Sequence, residues 1–256
     1  MDKGSQITTN RNQITGAETL NSDWKNLYKL GGVAALCVVV LTLSEVGFLI
    51  FYPQPSTISG WFMLFQSNRI IGLLSFWGFE VPMYAMFVLV FLALFIALRK
   101  GNGDLMAIVL AFALLGVGIF LATNNPFTML SLSNQHAAAT TDVQRSALLA
   151  AGQAVLANTT QRAVGGFNIS LFLVTIAGLI TSCVMLQSTV FSRMTAYVGI
   201  LANVFSLTDY VRQALTQSEV IALLVILPGA LFLVIWYILV GQRLYQLGRR
   251  PSPVEL

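Results

Sequence analysis

Six apolar stretches, each long enough to cross or nearly cross a bilayer, fill most of this chain from Leu30 onward. No segment between them is rich enough in polar residues to form a second, soluble domain. A helix rising about 1.5 Å per residue needs about 20 apolar residues to traverse a hydrocarbon core of about 30 Å. Leu30 to Phe51, uncharged except for Glu45, and Val220 to Val240, free of charge, both meet that requirement. Val81 to Leu98, Leu105 to Ala122 and Ile169 to Leu186 are shorter but charge-free. Met194 to Leu207, between Arg193 and Asp209, completes a set of six if the loop charges are to obey one orientation.

Composition leads to the same class. The chain is 56% hydrophobic and 9% charged, against roughly 25% charged residues in soluble domains. Its net charge of +4 matters through its placement. With six spans and a cytoplasmic N-terminus, Lys3, Arg11, Lys25, Lys29, Arg99, Lys100, Arg193, Arg243, Arg249 and Arg250 fall inside, and Arg69, Arg145, Arg162 and Arg212 outside. That bias predicts both termini in the cytoplasm. It draws no stripe able to track phosphates, so nucleic acid is not an expected partner. No phosphate-cradling glycine motif is present, so no nucleotide is expected either.

The organisation along the chain follows from local signals. Residues 1–27 are predicted as a polar tail, 28–247 as a single membrane domain and 248–256 as a second short tail. Trp24 and Tyr28, with Lys25 and Lys29, read as a headgroup-level approach to the first span. The first apolar run is longer than a signal-peptide core and follows a polar tail, so it is expected to remain as an anchor. Tyr52-Pro53-Gln54-Pro55 ends that helix. A serine or threonine of the run from Ser56 then caps a short apolar segment through Gln66, expected to lie in the outer interface or re-enter it. A break is expected near Gly78 to Pro82, because a helix from Ile70 to Leu98 would be about 43 Å long. Arg99 to Asp104 reads as a tight turn in which Gly101, Asn102 and Gly103 take left-handed backbone angles. The loop over 123–166 is the longest, and within it Leu148, Leu149, Val155 and Leu156 recur at helical spacing after a Thr140, Thr141 or Asp142 cap. This amphipathic helix either docks a partner or covers a cavity, or it merely bridges two spans along the outer leaflet.

The order of these patterns is specific. Pro53 to Thr57 leading into Gly60-Trp61-Phe62, Met129 to Ser133 followed by Ala137 to Arg145, Leu148 to Ala154, and Val190 to Leu201 together resemble a family of bacterial six-helix membrane proteins catalogued as a domain of unknown function. The resemblance runs from about Leu27 to Leu247 and departs from the family pattern at Phe76 to Met83. It implies a stand-alone integral membrane domain, and no activity, cofactor or catalytic residue comes with it.

Candidate functional residues are the polar groups inside the apolar belt, because an ionisable side chain there is costly. Glu45, about 10 Å below the outer end of the first span, is the best placed. Glu80, Asn168, Asn203 and Asp209, with Arg69 and Arg212, either converge with it on an outward-facing polar cavity or serve locally. In the local reading Glu80 starts a helix, Asp209 and Arg212 pair on the surface, and Asn203 bridges helices. Arg69 or Arg212 is the expected counter-ion of Glu45. His136 is the single histidine, which excludes His-Glu-x-x-His metal sites and gives haem little support; Ser131 or Ser133 beside it lacks a nucleophile-elbow setting. Cys37 and Cys183 read as small apolar residues rather than a disulfide or metal pair. The small residues Gly116, Gly118, Ala177, Gly178, Ala196 and Gly199 are expected to let helices pack closely. The fold expected is therefore an all-α, polytopic bundle with outer interfacial helices, no cofactor and no enzymatic activity. Its outer amphipathic face, Leu148, Leu149, Val155 and Leu156, would bind lipid, a protein partner or a second copy of the chain. The alternative is a small-solute or ion carrier built on Glu45.

Overall fold

The computed structural model describes residues 24–124, 126–159, 169–215 and 218–249, and among them every regular element is a helix. Helix α1 (Lys25–Phe51) is followed by α2 (Ile58–Ser67), α3 (Arg69–Leu73) and a wide, broken turn over Leu74–Gly78. Then come α4 (Glu80–Thr123), α5 (Pro126–Ala138), α6 (Asp142–Thr159), α7 (Ile169–Gln187), α8 (Arg193–Leu215) and α9 (Glu219–Arg249).

Helix α4 is two helices. Asn102, at φ −148° and ψ 56°, interrupts it, and the rings of Tyr84 and Phe120 stack 3.7 Å apart, centroid to centroid. These residues stand roughly ten helical turns apart in sequence, a distance of about 54 Å in a straight rod. The chain therefore doubles back at Asn102, and its arms, 80–101 and 103–123, lie side by side. The turn expected at Arg99 to Asp104 is present, but its mechanism is corrected. One non-helical asparagine makes it, and Gly101 and Gly103 do not adopt left-handed angles.

Close approaches fix the order of the long segments. On α1, Gly31 lies against Ala93 of the first α4 arm, and Thr42 reaches Sδ of Met83 at 3.4 Å. Gly116 of the second arm meets Ser170 and Val174 of α7, and Asn102 bonds Gln187 at 3.4 Å. Gly178 of α7 meets Asn203 of α8, Gly229 of α9 meets Phe205 of α8, and Gly32 of α1 lies against Gly241 and Tyr245 of α9. In each pair the residue numbers rise on one helix as they fall on the other. Six segments thus run alternately up and down in a closed ring, the last packed on the first. Small residues at the crossings let backbones approach where the hydrophobic effect gives no preference. Gly118 is an exception among those expected there, since nothing lies within 4 Å of where its Cβ would stand.

Four stretches are long and apolar enough to span a membrane by themselves: Lys25–Phe51, Arg69–Ala138, Ile169–Gln187 and Val220–Arg249. Much of their apolar surface faces outward, as at Val40, Leu43, Ile50, Leu115, Leu224 and Leu231. That is the pattern of a protein solvated by lipid. Helix α8 is longer than the stretch expected at Met194 to Leu207, because it continues past Asp209 and Arg212 to Leu215.

The two ends of the ring differ. Lys25, Lys29, Arg99, Lys100, Arg193, Arg243 and Arg249 gather at one, where α1 starts, α4 turns and α9 finishes; Arg99 stands over the Trp24 ring at 5.6 Å. The other carries a helical cap. There α2, α5 and α6 pack on one another, so the loop over 123–166 holds a second helix, α5, which periodicity did not reveal. Thr57 caps α2 as expected, accepting from the Gly60 N–H at 3.1 Å. On α6 the cap is Thr141, which accepts from the Gln144 N–H at 3.2 Å while Gln144 Oε1 accepts from the Thr140 N–H at 3.2 Å. This reciprocal pair satisfies two donors at the helix entry.

Candidate functional site

The broken turn before α4 sets the site. Trp77 holds φ at +63° with its side chain buried, a conformation that costs a bulky residue about 1–3 kcal/mol. Its ring meets Phe120 edge-on at 6.2 Å, while Phe76 meets Trp61 at 5.1 Å, so aromatic packing on both sides holds the break. Gln54 Nε2 donates to the Ser75 carbonyl at 2.7 Å and ties the α1–α2 connection to the same turn. Glu80 is then the first residue of α4, and Pro82 sits in the first turn, where its missing N–H has no intrahelical role. The expected break lies slightly earlier than Gly78 to Pro82, and Glu80 opens the new helix.

Glu45 and Glu80 are brought together by register. Thr42 reaches Met83, and the rings of Phe48 and Phe79 lie 5.4 Å apart, so Glu45, between Thr42 and Phe48, comes level with Glu80. Glu45 shares the face of Thr42 and Val38, which points at α4. The two glutamates are 9% and 5% exposed. One turn further along α4, Tyr84 is buried, stacked on Phe120 and within electrostatic reach of Tyr210 and Tyr237. Asn124, level with Glu80 across the hairpin, is also buried; its Nδ2 donates to the Phe120 carbonyl at 3.1 Å.

Asp209 and Arg212 lie on α8 either side of Tyr210, which is within electrostatic reach of Tyr84. Arg212 Nε bonds Asp209 Oδ1 at 2.6 Å, and each side chain is less than a fifth exposed, so this pair is largely buried rather than on the surface. Asn203 is buried; its Nδ2 donates to the Gly199 carbonyl of its own helix at 2.7 Å while its amide packs on Gly178 of α7. Arg69 is exposed at the start of α3, with no ion pair among the described residues. Asn168 lies outside the described residues. Cys37 is half-buried and Cys183 exposed on the outside of the bundle. Among the described residues no three of His, Cys, Asp and Glu come together to hold a metal ion.

The amphipathic face of α6 turns inward within the cap. Leu156 is 8% exposed, Leu149 and Val155 pack on the core, Leu148 is half-buried, and Gly152 sits against Ile58 and Phe62 of α2. Ser133 Oγ donates to the Phe62 carbonyl at 3.0 Å, and the His136 ring packs on Phe62 at 5.1 Å. These two residues therefore pin α5 to α2.

A helical bundle with outward-facing apolar surface and four stretches long and apolar enough to cross a bilayer is of the kind found in membrane proteins. The chain belongs to the family described as domain of unknown function DUF4386, whose model matches residues 65–241. That match takes in Glu80, α5, α6 and α8; Glu45 lies before it. No curated protein and no solved structure matches the chain.

Proposed function

We propose that this is a six-span, non-enzymatic protein of a bacterial cytoplasmic membrane, with both termini inside, that takes up protons or a small cation from the outer side at Glu45 and Glu80. The observation that carries this reading is the two glutamates, buried on facing helices at one level. Acids inside an apolar bundle are costly and mark ion paths. The six alternating segments and the gathering of basic residues at one end support the topology, and α2, α5 and α6 would form the cover on the outer side.

The test is proton uptake into proteoliposomes under an imposed potential, read with an entrapped pH dye. The wild-type protein is expected to exceed empty vesicles. Glu45→Gln and Glu80→Gln are each expected to lower the rate at least about tenfold, a barrier change of about 1.4 kcal/mol, with unchanged elution in detergent. Wild-type vesicles as tight as empty ones, with sodium and potassium gradients equally undisturbed, would remove the reading.

A second reading is a docking protein whose cap binds a protein partner, lipid or a second copy of the chain. It is favoured by Phe127 on α5 and Val143 on α6, which are 66% and 78% exposed. Here Val143→Ser should abolish recovery of a cross-linked partner and leave ion flux untouched.

A further inference from the structure

At the basic end, the α7–α8 connection and the last turns of α9 enclose a cleft of about 360 Å³, within the range of small-ligand sites, about 300–1,000 Å³. Thr189, Ser192, Gln242, Arg243 and Gln246 supply its polar wall, and Phe191 and Leu239 its apolar one; no acidic residue lines it. Arg243 is half-buried and oriented by one bond, from Nε to the Val190 carbonyl at 2.6 Å. Its terminal nitrogens, and the side chains of Gln242, Gln246 and Thr189, make no hydrogen bond among the described residues. Ser192 is differently engaged: its Oγ caps α8 by accepting from the Thr195 N–H at 3.1 Å. The cleft therefore offers a guanidinium fork, held by its root, with amide and hydroxyl donors beside it. A guanidinium fork matches phosphate oxygens.

We propose that this cleft binds the phosphate of an anionic phospholipid in the leaflet at that end. A lipid rather than a soluble phosphate is indicated by the cleft's position. It sits where the apolar surface of α9 gives way to Gln242 and Arg243, and it shares its end of the bundle with Lys25, Lys29, Arg99, Lys100, Arg193 and Arg249. Its apolar wall would take the glycerol and the start of the acyl chains. Only the membrane setting of the bundle is required, so the inference stands apart from the ion reading.

Full-length protein would be purified from mixed micelles of phosphatidylcholine and phosphatidylglycerol and its retained lipid counted by native mass spectrometry. Phosphatidylglycerol is expected to be retained about tenfold over phosphatidylcholine, because both offer a phosphate but the choline ammonium would stand among the cations at this end of the bundle and offset the attraction. Arg243→Gln should erase that preference. Because Arg243 also supports the Val190 carbonyl, the double variant Gln242→Ala, Gln246→Ala provides a second test that leaves that bond in place and should weaken the preference. Arg249→Gln, outside the cleft, should leave it intact. Excess glycerol 3-phosphate is expected not to displace the lipid; displacement would assign the cleft to a free phosphate and overturn the lipid proposal. Equal retention of the two lipids by the wild type, or full preference in both cleft variants, would overturn it as well.

Discussion

Gly199→Leu is expected to lower the melting temperature in detergent by several degrees and to reduce the yield of folded, monodisperse protein. Gly199 of α8 stands where α7 and α9 converge, and a Cβ there would collide with Ser182 Oγ on one side and the Trp236 indole on the other. Neither neighbour can yield easily. Ser182 is buried and bonded to the Gly178 carbonyl at 2.8 Å, and Trp236 is among the largest fully buried side chains. Overpacking typically costs about 1–3 kcal/mol, and a whole leucine side chain at a three-helix junction should reach the top of that range. Against a total stability of about 5–15 kcal/mol, such a loss lowers the melting temperature by several degrees. Gly118→Leu provides the contrast, because its Cβ points into open space; that variant should match or exceed the wild type, since glycine inside a helix costs about 0.8–1 kcal/mol. Equal melting temperatures for the two variants would show that helix approach at Gly199 is not what holds the ring.

Phe62→Ala should loosen the cap while leaving the ring folded. Phe62 is buried, lies under Gly152 of α6 and packs on His136 of α5, so one side chain joins all three cap helices. Removing a buried phenyl ring costs about 3–5 kcal/mol where the site cannot collapse. In hydrogen exchange, amides of α6 should lose protection by about two orders of magnitude, whereas those around Gly178 and Gly199 should keep theirs. A uniform rise across cap and ring would mean that the cap is not a separate unit. If the cap covers the glutamate pair, the same variant should also speed proton uptake through it.

How much of this was legible in the sequence depended on how local the cause was. Proline at 53 and 55 stops a helix through its own geometry, and the Thr57 cap is satisfied three residues away, so α1 and α2 ended and began as expected. Helix α5 was missed because its residues, Pro126 to Ala138, carry little apolar periodicity; what holds them is Gln66, 2.9 Å from Ser133 Oγ, and the Phe62 ring. The glycines of the α4 turn misled, since they permit left-handed angles without requiring them, and one non-helical Asn102 sufficed. For Glu45 the position in the apolar belt could be read from its own surroundings in the chain, but not its neighbour across the bundle. Arg69, one of the two expected counter-ions, is exposed on α3 with no ion pair among the described residues.

Hydropathy along the chain was enough to identify an apolar surrounding and the helical segments that meet it. A long apolar run has one low-energy form in lipid, a helix that satisfies its own backbone, so length and hydropathy suffice to locate it. Which helices are neighbours, that Glu45 stands level with Glu80, and that the apolar face of α6 turns inward emerged only from the packed bundle. Those outcomes depend on side-chain fit between segments far apart in the chain, at Gly31, Gly178 and Gly199 among others, and helical periodicity carries no record of which surface a face will meet.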